Sequence, residues 1–396
     1  MTAKRKTASP RKAARPVKSA PPVAPVTPVA DAPQFRYFHD KVAPWVDRGT
    51  VYGFELREEL SKPTIEHGES AICALATVTT GSVFGITSGK RGHAFYFHPA
   101  FGVVDLGVIS EKPVVGGAIV HTRDDILVGG WHGETGGMFR HAAAREFGTG
   151  QEDFYSRKEP LVPVALPATG EGILAVAWNA SDRRTYAVTT TKRLVSVGDD
   201  DTTARVDVEL GLQQPAPALL CLSDGTLLGA VDEGELWQYR PDAAAIERLA
   251  VCAPCEKGKR YVAGVQSLLL SRSGTVYGGT STDGFVFAYD AARRVLTNLG
   301  KPHRQSVIRC LVEGHDGLIY GIVQEPHGMA HLFLFDPERR AFEDLGVLNA
   351  FIPVQWAAHS LGAMCTGIHG ELFLGEDDTI AHLFAYYPPI PKKRGP

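Results

Sequence analysis

Short hydrophobic runs alternate with turn residues along most of the chain, and one arrangement of these runs recurs seven times. In the clearest copy, a run at 273–280 is followed by an aromatic run at 285–290 and by Thr-Asn-Leu-Gly at 297–300. The runs are rich in Val, Ile, Leu, Phe and Tyr and are bounded by Gly, Asp or Ser, as in strands joined by hairpin turns. No 3.6-residue helical period passes through them. The pattern therefore predicts an all-β fold.

The spacing of the copies indicates the architecture. They are centred near residues 81, 125, 184, 225, 274, 317 and 370, so successive copies lie 41 to 59 residues apart. Four-stranded propeller blades repeat roughly every 40–50 residues, whereas leucine-rich repeats are shorter. We therefore predict a seven-bladed β-propeller with four strands in each blade. In the fifth blade the strands are expected near 267–270, 275–278, 285–289 and 294–299.

The seventh copy lacks its last strand. After the run at 382–387 the chain enters a Pro-rich segment at 388–391. Near the start, 45–51 resembles 103–109, which is a predicted outer strand. We predict that this N-terminal segment completes the seventh blade and closes the ring, because closure removes an exposed sheet edge. Truncation past residue 45 should then destabilise the ring, whereas removal of 1–34 should not.

Composition separates the repeats from both ends of the chain. Residues 1–34 hold seven Lys or Arg, one Asp and no aromatic residue, so we expect a disordered basic tail rich in Ala, Pro and Lys. The alternative is contact between this tail and an acidic partner or nucleic acid. The propeller is assigned to 35–391, with 141–171 inserted between blades two and three, and 392–396 form a second basic tail. Because both tails are basic while the whole chain has a net charge of −3, the propeller itself must be acidic. An acidic propeller argues against a general nucleic-acid surface on it.

Other features place the protein in a broad class. The sequence contains no run of about twenty apolar residues, so no membrane span is predicted. The basic start is not followed by the apolar core of a secretory signal. We expect a cytoplasmic monomer with reduced thiols. Four cysteines lie in predicted first strands and are expected to be small buried hydrophobes, namely Cys73, Cys221, Cys310 and Cys365.

Candidate site residues lie in the connections that share one face of a propeller. These connections join second to third strands and one blade to the next, and they surround the channel where ligands bind. The candidates for acid–base chemistry are His132, Tyr261, Arg260, His303 and His359. The candidates for ligand binding are Arg91, His93, Glu134, Arg304, His327 and Trp356. The alternative is that these side chains are polar only because the loops are solvated, and that the Gly-rich loop around His132 is an ordinary hairpin.

The first set has a composition that suits one reaction. A histidine or tyrosine could remove a proton next to a carboxylate while an arginine neutralises the acid group. That chemistry is expected of an enzyme that cleaves uronate polysaccharides by elimination.

Cys252 and Cys255 form the one metal-like spacing in the sequence. A structural zinc site needs about four ligands, and no second Cys-x-x-Cys follows. His303, His327 or His359 could complete the set, and the alternative is a pair of unrelated thiols in a solvent-facing loop. No other cofactor is expected, since the phosphate-binding loop and the nucleophile elbow are missing from the sequence.

The repeated phrases carry a resemblance. Asp-Gly-Leu-Ile-Tyr-Gly at 316–321, the aromatic run at 331–337 and Glu-Asp-Leu-Gly at 343–346 resemble bacterial kelch-like propellers. They also resemble propeller-type polysaccharide lyases, including ulvan and rhamnogalacturonan lyases. The resemblance covers 36–391 and concerns scaffold residues. It leaves two functions open: a binding or scaffold protein that recognises a protein, small-molecule or carbohydrate ligand on the channel face, and a lyase-like enzyme that cleaves uronate-containing glycans by β-elimination.

Overall fold

The described part of the chain forms seven four-stranded antiparallel sheets, as predicted, and one further two-stranded hairpin. The computed structural model describes residues 45–56, 65–98, 102–123, 126–142, 160–211, 215–325, 328–352 and 354–389. The predicted tails at 1–34 and 392–396 lie outside these residues. Within them the helices are two single 3₁₀ turns, Asp232–Gly234 and Arg260–Val262, and neither is long enough to cross a membrane.

The strands follow one another blade by blade. After β1 (Thr50–Glu55), blade one holds β2 (Ala71–Thr77), β3 (Val83–Ser88), β4 (Gly92–His98) and β5 (Gly102–Ser110). Blade two holds β6 (Val114–His121), β7 (Ile126–Gly133), β8 (Gly137–Ala142) and β9 (Val162–Val164). Blade three holds β10 (Ile173–Asn179), β11 (Arg184–Thr189), β12 (Arg193–Gly198) and β13 (Arg205–Glu209). Blade four holds β14 (Pro215–Cys221), β15 (Leu227–Val231), β16 (Glu235–Arg240) and β17 (Ala245–Cys252).

The remaining blades repeat the arrangement. Blade five holds β18 (Val265–Leu270), β19 (Val276–Thr280), β20 (Val286–Asp290) and β21 (Val295–Gly300), close to the predicted positions. Blade six holds β22 (Val307–Glu313), β23 (Ile319–Gln324), β24 (His331–Asp336) and β25 (Ala341–Val347). A hairpin of β26 (Asn349–Ile352) and β27 (Val354–Ala357) then leads to β28 (Leu361–Thr366), β29 (Leu372–Glu376) and β30 (His382–Tyr387) of blade seven.

An N-terminal strand completes blade seven and closes the ring. β1 pairs antiparallel with β30, from Thr50 opposite Tyr387 to Glu55 opposite His382. The closing strand therefore begins five residues later than the predicted 45–51. Trp45 forms instead an isolated parallel bridge with Val347 at the end of β25, so the start of the predicted segment contacts blade six.

The segment 141–171 is placed differently from the predicted insertion between blades two and three. Its first two residues end β8, and Val162–Val164 pair with β8 as the outer strand of blade two. The described residues on either side of 143–159 therefore both belong to blade two. Residues 143–159 lie outside the described part of the chain.

The repeated Asp-Leu-Gly phrase forms a β-bulge in the outer strand. In blade one, Asp105 pairs with Phe95 while Gly107 pairs with Ala94, so one extra residue is accommodated between them. The Gly107 amide donates to Oδ1 of Asp105 over 2.8 Å, and Gly107 has φ +127°, where glycine is favoured. The bulge recurs in blade six with Asp344 and in blade five with Asn298, whose oxygens each accept a glycine amide at 2.9 Å. The phrase therefore sets the shape of the outer strand.

The hydrophobic core lies between the blades. Each neighbouring pair shares a cluster of buried residues, and one of these clusters joins blade seven to blade one across the closure. Within several blades the ring of a third-strand aromatic covers a second-strand glycine. A Cβ at Gly278 would lie only 2.1 Å from the ring of Phe287, so the pair fits only because glycine has no side chain.

Candidate functional site

The first strands of the seven blades surround a cavity on the axis of the propeller. Its volume is about 550 Å³, and residues from β2, β6, β10, β14, β18, β22 and β28 all line it. Most of the wall is Ala, Val, Ile, Leu or Met. His132 near the end of β7 and Asp377 just after β29 are the described lining residues that come from outside the first strands.

Polar side chains gather at one end of this cavity. Gln266 and Arg309 lie near the starts of β18 and β22, whereas His132 and Asp377 lie where second strands end. Because first and second strands run antiparallel, these positions share the face that was predicted to carry the site. We call these four residues the channel-mouth cluster.

An ion pair lies within the channel-mouth cluster. Nη2 of Arg309 is 3.3 Å from Oδ2 of Asp377, and both side chains are about one-third exposed. The Nε of Arg309 is buried and has no hydrogen-bond partner in the described part of the chain. Burial raises the pKa of Asp377, and the nearby Arg309 charge opposes that shift. The mouth thus offers a cationic donor with spare capacity next to a carboxyl group that can accept a hydrogen bond.

His132 is among the residues that line this cavity. A Cβ at Gly116 would come within 2.7 Å of Nε2 of His132, and a Cβ at Gly172 would come within 2.6 Å of its Cβ. The two glycines therefore make room for the imidazole. Burial lowers the pKa of His132, so the ring is neutral near pH 7 and can accept a proton.

The other residues of the predicted acid–base set are placed elsewhere. Arg260 donates to the backbone oxygens of Glu233 and Ala253 at 2.9 and 2.6 Å, and the neighbouring Tyr261 is 75% exposed. His359 is exposed, and His303 stacks on His331 with ring centroids 4.3 Å apart. Among the described residues that line the cavity, His132 is the one member of that set.

The predicted ligand-binding residues are also dispersed, and several are already engaged within the protein. Glu134 lies 3.3 Å from Lys112, Arg304 is exposed, and Nε1 of Trp356 donates to both carboxylate oxygens of Glu376. His327 lies outside the described residues.

Arg91 and His93 belong to one buried polar cluster in blade one. Arg91 makes two 2.9 Å bonds to the carboxylate of Glu69, and His93 lies between Glu69 at 3.1 Å and Asp105 at 3.2 Å. The Arg91 bonds hold the pKa of Glu69 below its usual range despite burial. Burial favours neutral His93, but Asp105 and Glu69 outweigh it and raise the pKa of the imidazole. The charges of this cluster are balanced internally.

The cysteines do not form a metal cluster in the described structure. Cys252 is exposed and Cys255 half-buried, and both are free thiols. The described residues contain a single group of three or more possible His, Cys, Asp or Glu ligands, and it consists of His303, His331 and Asp344. Cys73 and Cys310 line the axial cavity, where burial raises their pKa to about 12 and about 11. Both therefore stay protonated thiols.

Several residues of these clusters could not be selected from the sequence. Arg309 and Gln266 lie inside first strands among apolar neighbours, where polar residues look like ordinary strand positions. One usable signal was the histidine four residues before the third-strand aromatic, as in His93 before Phe97 and His331 before Phe335. His382 occupies the same position in blade seven. The histidine is therefore found in blades six, seven and one, which follow one another around the ring.

Comparison with known proteins supports the fold. No protein-family model and no curated protein matches the sequence. Among solved structures, a catalytically inactive histidine-to-alanine variant of virginiamycin B lyase from Staphylococcus aureus with quinupristin is similar, with a TM-score of 0.64. It shares 9% identity over 85% of this chain and 99% of that chain.

Two further solved structures show how varied propellers of this shape are. The WD40 propeller domain of Doa1 matches with a TM-score of 0.54 and 11% identity, over 86% of this chain and 98% of that one. The extracellular domain of a hybrid two-component system from B. thetaiotaomicron matches with a TM-score of 0.56 and 12% identity, over 85% of this chain and 39% of that one. At these identities the likeness establishes the propeller fold, and the resemblance to kelch-like propellers and polysaccharide lyases stays a prediction.

Proposed function

We propose that the protein is a ligand-binding propeller that holds a small polar organic molecule at the mouth of its axial cavity. The observation that carries the proposal is the Arg309–Asp377 ion pair at the mouth, whose two side chains are each about one-third exposed. The exposed part of the guanidinium can therefore donate a charge-assisted hydrogen bond to a ligand oxygen. The cavity volume of about 550 Å³ also falls in the range of small-molecule sites.

The chemistry of the mouth indicates the class of ligand. Arg309 would donate to a ligand oxygen while Asp377 accepts from a neighbouring hydroxyl or amide. A group that is donor and acceptor at once, such as a sugar diol or a carboxamide, fits this pair better than a simple anion, which Asp377 would repel. The first-strand residues below the mouth would contact the rest of the same molecule.

Ligand screening with matched variants tests the proposal. Neutral and acidic mono- and disaccharides and small carboxamides are screened by thermal shift, and any compound that binds is then titrated by calorimetry. Arg309→Leu should lower the affinity at least tenfold, or by about 1.4 kcal/mol. Arg304→Leu, an exposed arginine outside the cavity, should leave it unchanged.

A second variant separates loss of binding from loss of fold. Val115 lines the cavity and is 73% exposed, so Val115→Trp should block the mouth while leaving the core intact. Equal affinity in wild type, Arg309→Leu and Val115→Trp would exclude the axial cavity as the site. Failure of the whole panel to bind would reject the sugar and amide classes.

The elimination chemistry is the second candidate, and one observation favours it. His132, kept neutral by burial, lines the same cavity as Arg309, so a base shares one site with a guanidinium that would neutralise a uronate carboxylate once Asp377 is displaced from it. In this version His132 removes the proton and Arg309 replaces Arg260, while Tyr261, His303 and His359 take no part. The fold likeness to virginiamycin B lyase is an analogy only.

A panel of uronate polysaccharides tests this candidate. Cleavage by elimination creates an unsaturated product, whose ultraviolet absorbance is followed over time. Activity should disappear in His132→Ala and persist in His359→Ala, whose histidine is exposed. Activity that survives His132→Ala would remove this residue from the mechanism, and an inactive panel would leave the binding function alone.

A further inference from the structure

The group His303, His331 and Asp344 in blade six is separate from the axial cavity, and we call it the blade-six triad. His331 begins β24, Asp344 lies in the bulge of β25, and His303 comes from the connection that enters the blade. Nδ1 of His331 is 3.1 Å from Oδ2 of Asp344, and Nε2 of His303 is 4.0 Å from the same oxygen. One nitrogen from each imidazole and one carboxylate oxygen thus lie within 4.8 Å of one another.

These separations match those of ligands around a single small cation. Two ligands placed about 2.1 Å from a tetrahedral Zn²⁺ are roughly 3.4 Å apart. The three ligand atoms of the triad all lie within 4.8 Å of one another. Because the two rings stack with their planes only 22° apart, the His303 ring would rotate out of the stack to direct its Nε2 at the same ion as His331. Ligation through Nε2 places the ring proton on Nδ1, so His303 would give up the long 3.3 Å bond that it accepts from the Gln305 amide.

The surroundings favour a bound cation over an internal ion pair. Oδ1 of Asp344 accepts the Gly346 amide at 2.9 Å, which fixes the carboxylate so that both of its oxygens lie 3.1 Å from Nδ1 of His331. The His331 side chain is 8% exposed, and His303 and Asp344 are 19% and 28% exposed. Water can therefore reach the outer side of the triad and complete the coordination.

We propose that His303, His331 and Asp344 bind one divalent transition-metal ion, with Zn²⁺ as the expected species. Such an ion links the connection between blades five and six to the outer hairpin of blade six. The site differs from the predicted Cys252 and Cys255 site in every ligand except the optional His303.

Zinc titration of the metal-free full chain tests the proposal. Calorimetry should give one ion per chain, and saturation should raise the melting temperature because the ion binds only the folded site. Co²⁺ in place of Zn²⁺ should give visible bands without the strong near-ultraviolet band of thiolate ligands. His303→Gln should bind Zn²⁺ at least tenfold more weakly, and the exposed control His359→Gln should bind as wild type does.

Three results would overturn the proposal. One is equal affinity of wild type and His303→Gln, since His303 is partly exposed and its replacement should not unfold the protein. Another is loss of binding in Cys252→Ser with a thiolate band in the cobalt form, which would place the ion at the cysteines. The third is the absence of saturable Zn²⁺ binding with a dissociation constant below about 100 μM, because weaker binding would be expected of scattered surface ligands.

Discussion

Blade one and blade six place a histidine at the same position of the repeat, yet the two histidines have different surroundings. His93 and His331 both stand at the start of a third strand, and each bonds to the aspartate of the Asp-Leu-Gly bulge. In blade one the other side of the imidazole meets Glu69, a carboxylate that Arg91 binds. In blade six a second imidazole, His303, instead stacks on the face of the His331 ring.

The difference comes from the inter-blade connection. Glu69 lies just before β2, and His303 lies in the connection just before β22, so each enters its own blade from the preceding one. Blade seven follows the same plan, because Trp356 lies before β28, donates to Glu376 and packs on His382. The repeat thus supplies a histidine with a carboxylate partner, and the variable connection supplies the third group. That third group decides whether the cluster is neutralised internally or left open to a ligand.

Removal of the histidine from each blade should give the largest contrast. His93→Leu leaves Glu69 and Asp105 buried without the imidazole between them, and breaking such a buried pair costs about 3–5 kcal/mol. His331→Leu leaves Asp344 partly exposed and still bonded to the Gly346 amide, so about 1–2 kcal/mol is expected. Urea unfolding in the presence of a chelator measures both changes.

The chelator is essential to this contrast, because a bound ion would add to the apparent stability of blade six. Equal slopes of the unfolding curves would show that the same surface is exposed in all variants. If His331→Leu were as destabilising as His93→Leu without metal, the blade-six triad would be as tightly coupled as the blade-one cluster.

The pH dependence of stability sharpens the description of blade one. The pKa of His93 is raised despite burial, so its charged form stabilises the fold fully below the ordinary histidine pKa of about 6.5. That contribution is lost as the pH rises through the folded-state pKa. The pKa of Glu69 is lowered, so its contribution is lost only as the pH falls below its ordinary value of about 4.3. The stability difference between wild type and His93→Gln should therefore be largest near pH 5–6 and shrink towards pH 8–9.

His98 at the end of the same strand provides a control of opposite sign. Burial lowers its pKa, so the unfolded chain takes up the proton first and wild type loses stability as the pH falls. His98→Gln should consequently gain on wild type at low pH, whereas His93→Gln should fall behind. The same pH trend in both variants would refute the assignment of opposite shifts.

Most of the fold could be predicted from the sequence, because each blade repeat consists of turn residues and apolar runs that are recognisable locally. The seven copies, the order of strands and the closing role of the N-terminal segment follow from local periodicity. The exact start of β1 could not be predicted in this way, since Trp45 pairs with blade six and Thr50 with blade seven. Pairing between distant segments depends on tertiary packing that no local pattern records.

The candidate site was much less predictable. His132 was identified because its Gly-rich loop is unusual, and the structure places it in the axial cavity. Arg309 was missed, because one arginine in an apolar strand reveals its inward direction only when the ring is closed. His303 and Asp344 are 41 residues apart in sequence but 4.0 Å apart in space. Their meeting depends on how the connection between blades folds, which loop composition does not specify.

Replacement of Asp344 in blade six by asparagine should have the smallest effect on stability, and it should still distinguish blade six from blade one. Blade five shows that the bulge tolerates this change, because Asn298 accepts the Gly300 amide at 2.9 Å where Asp344 accepts that of Gly346. In the presence of a chelator, Asp344→Asn should therefore lower the free energy of unfolding by less than about 1 kcal/mol. One hydrogen bond to His331 weakens, and the side chain at 344 is exposed enough for water to satisfy its polar atoms. Asp105→Asn removes a charge that His93 needs and should cost more.

Zn²⁺ affinity, measured by calorimetry, should fall at least tenfold in Asp344→Asn and stay unchanged in Asp105→Asn. Unfolding of Asp344→Asn, or undiminished zinc binding by it, would show that the two aspartates differ less than their surroundings indicate.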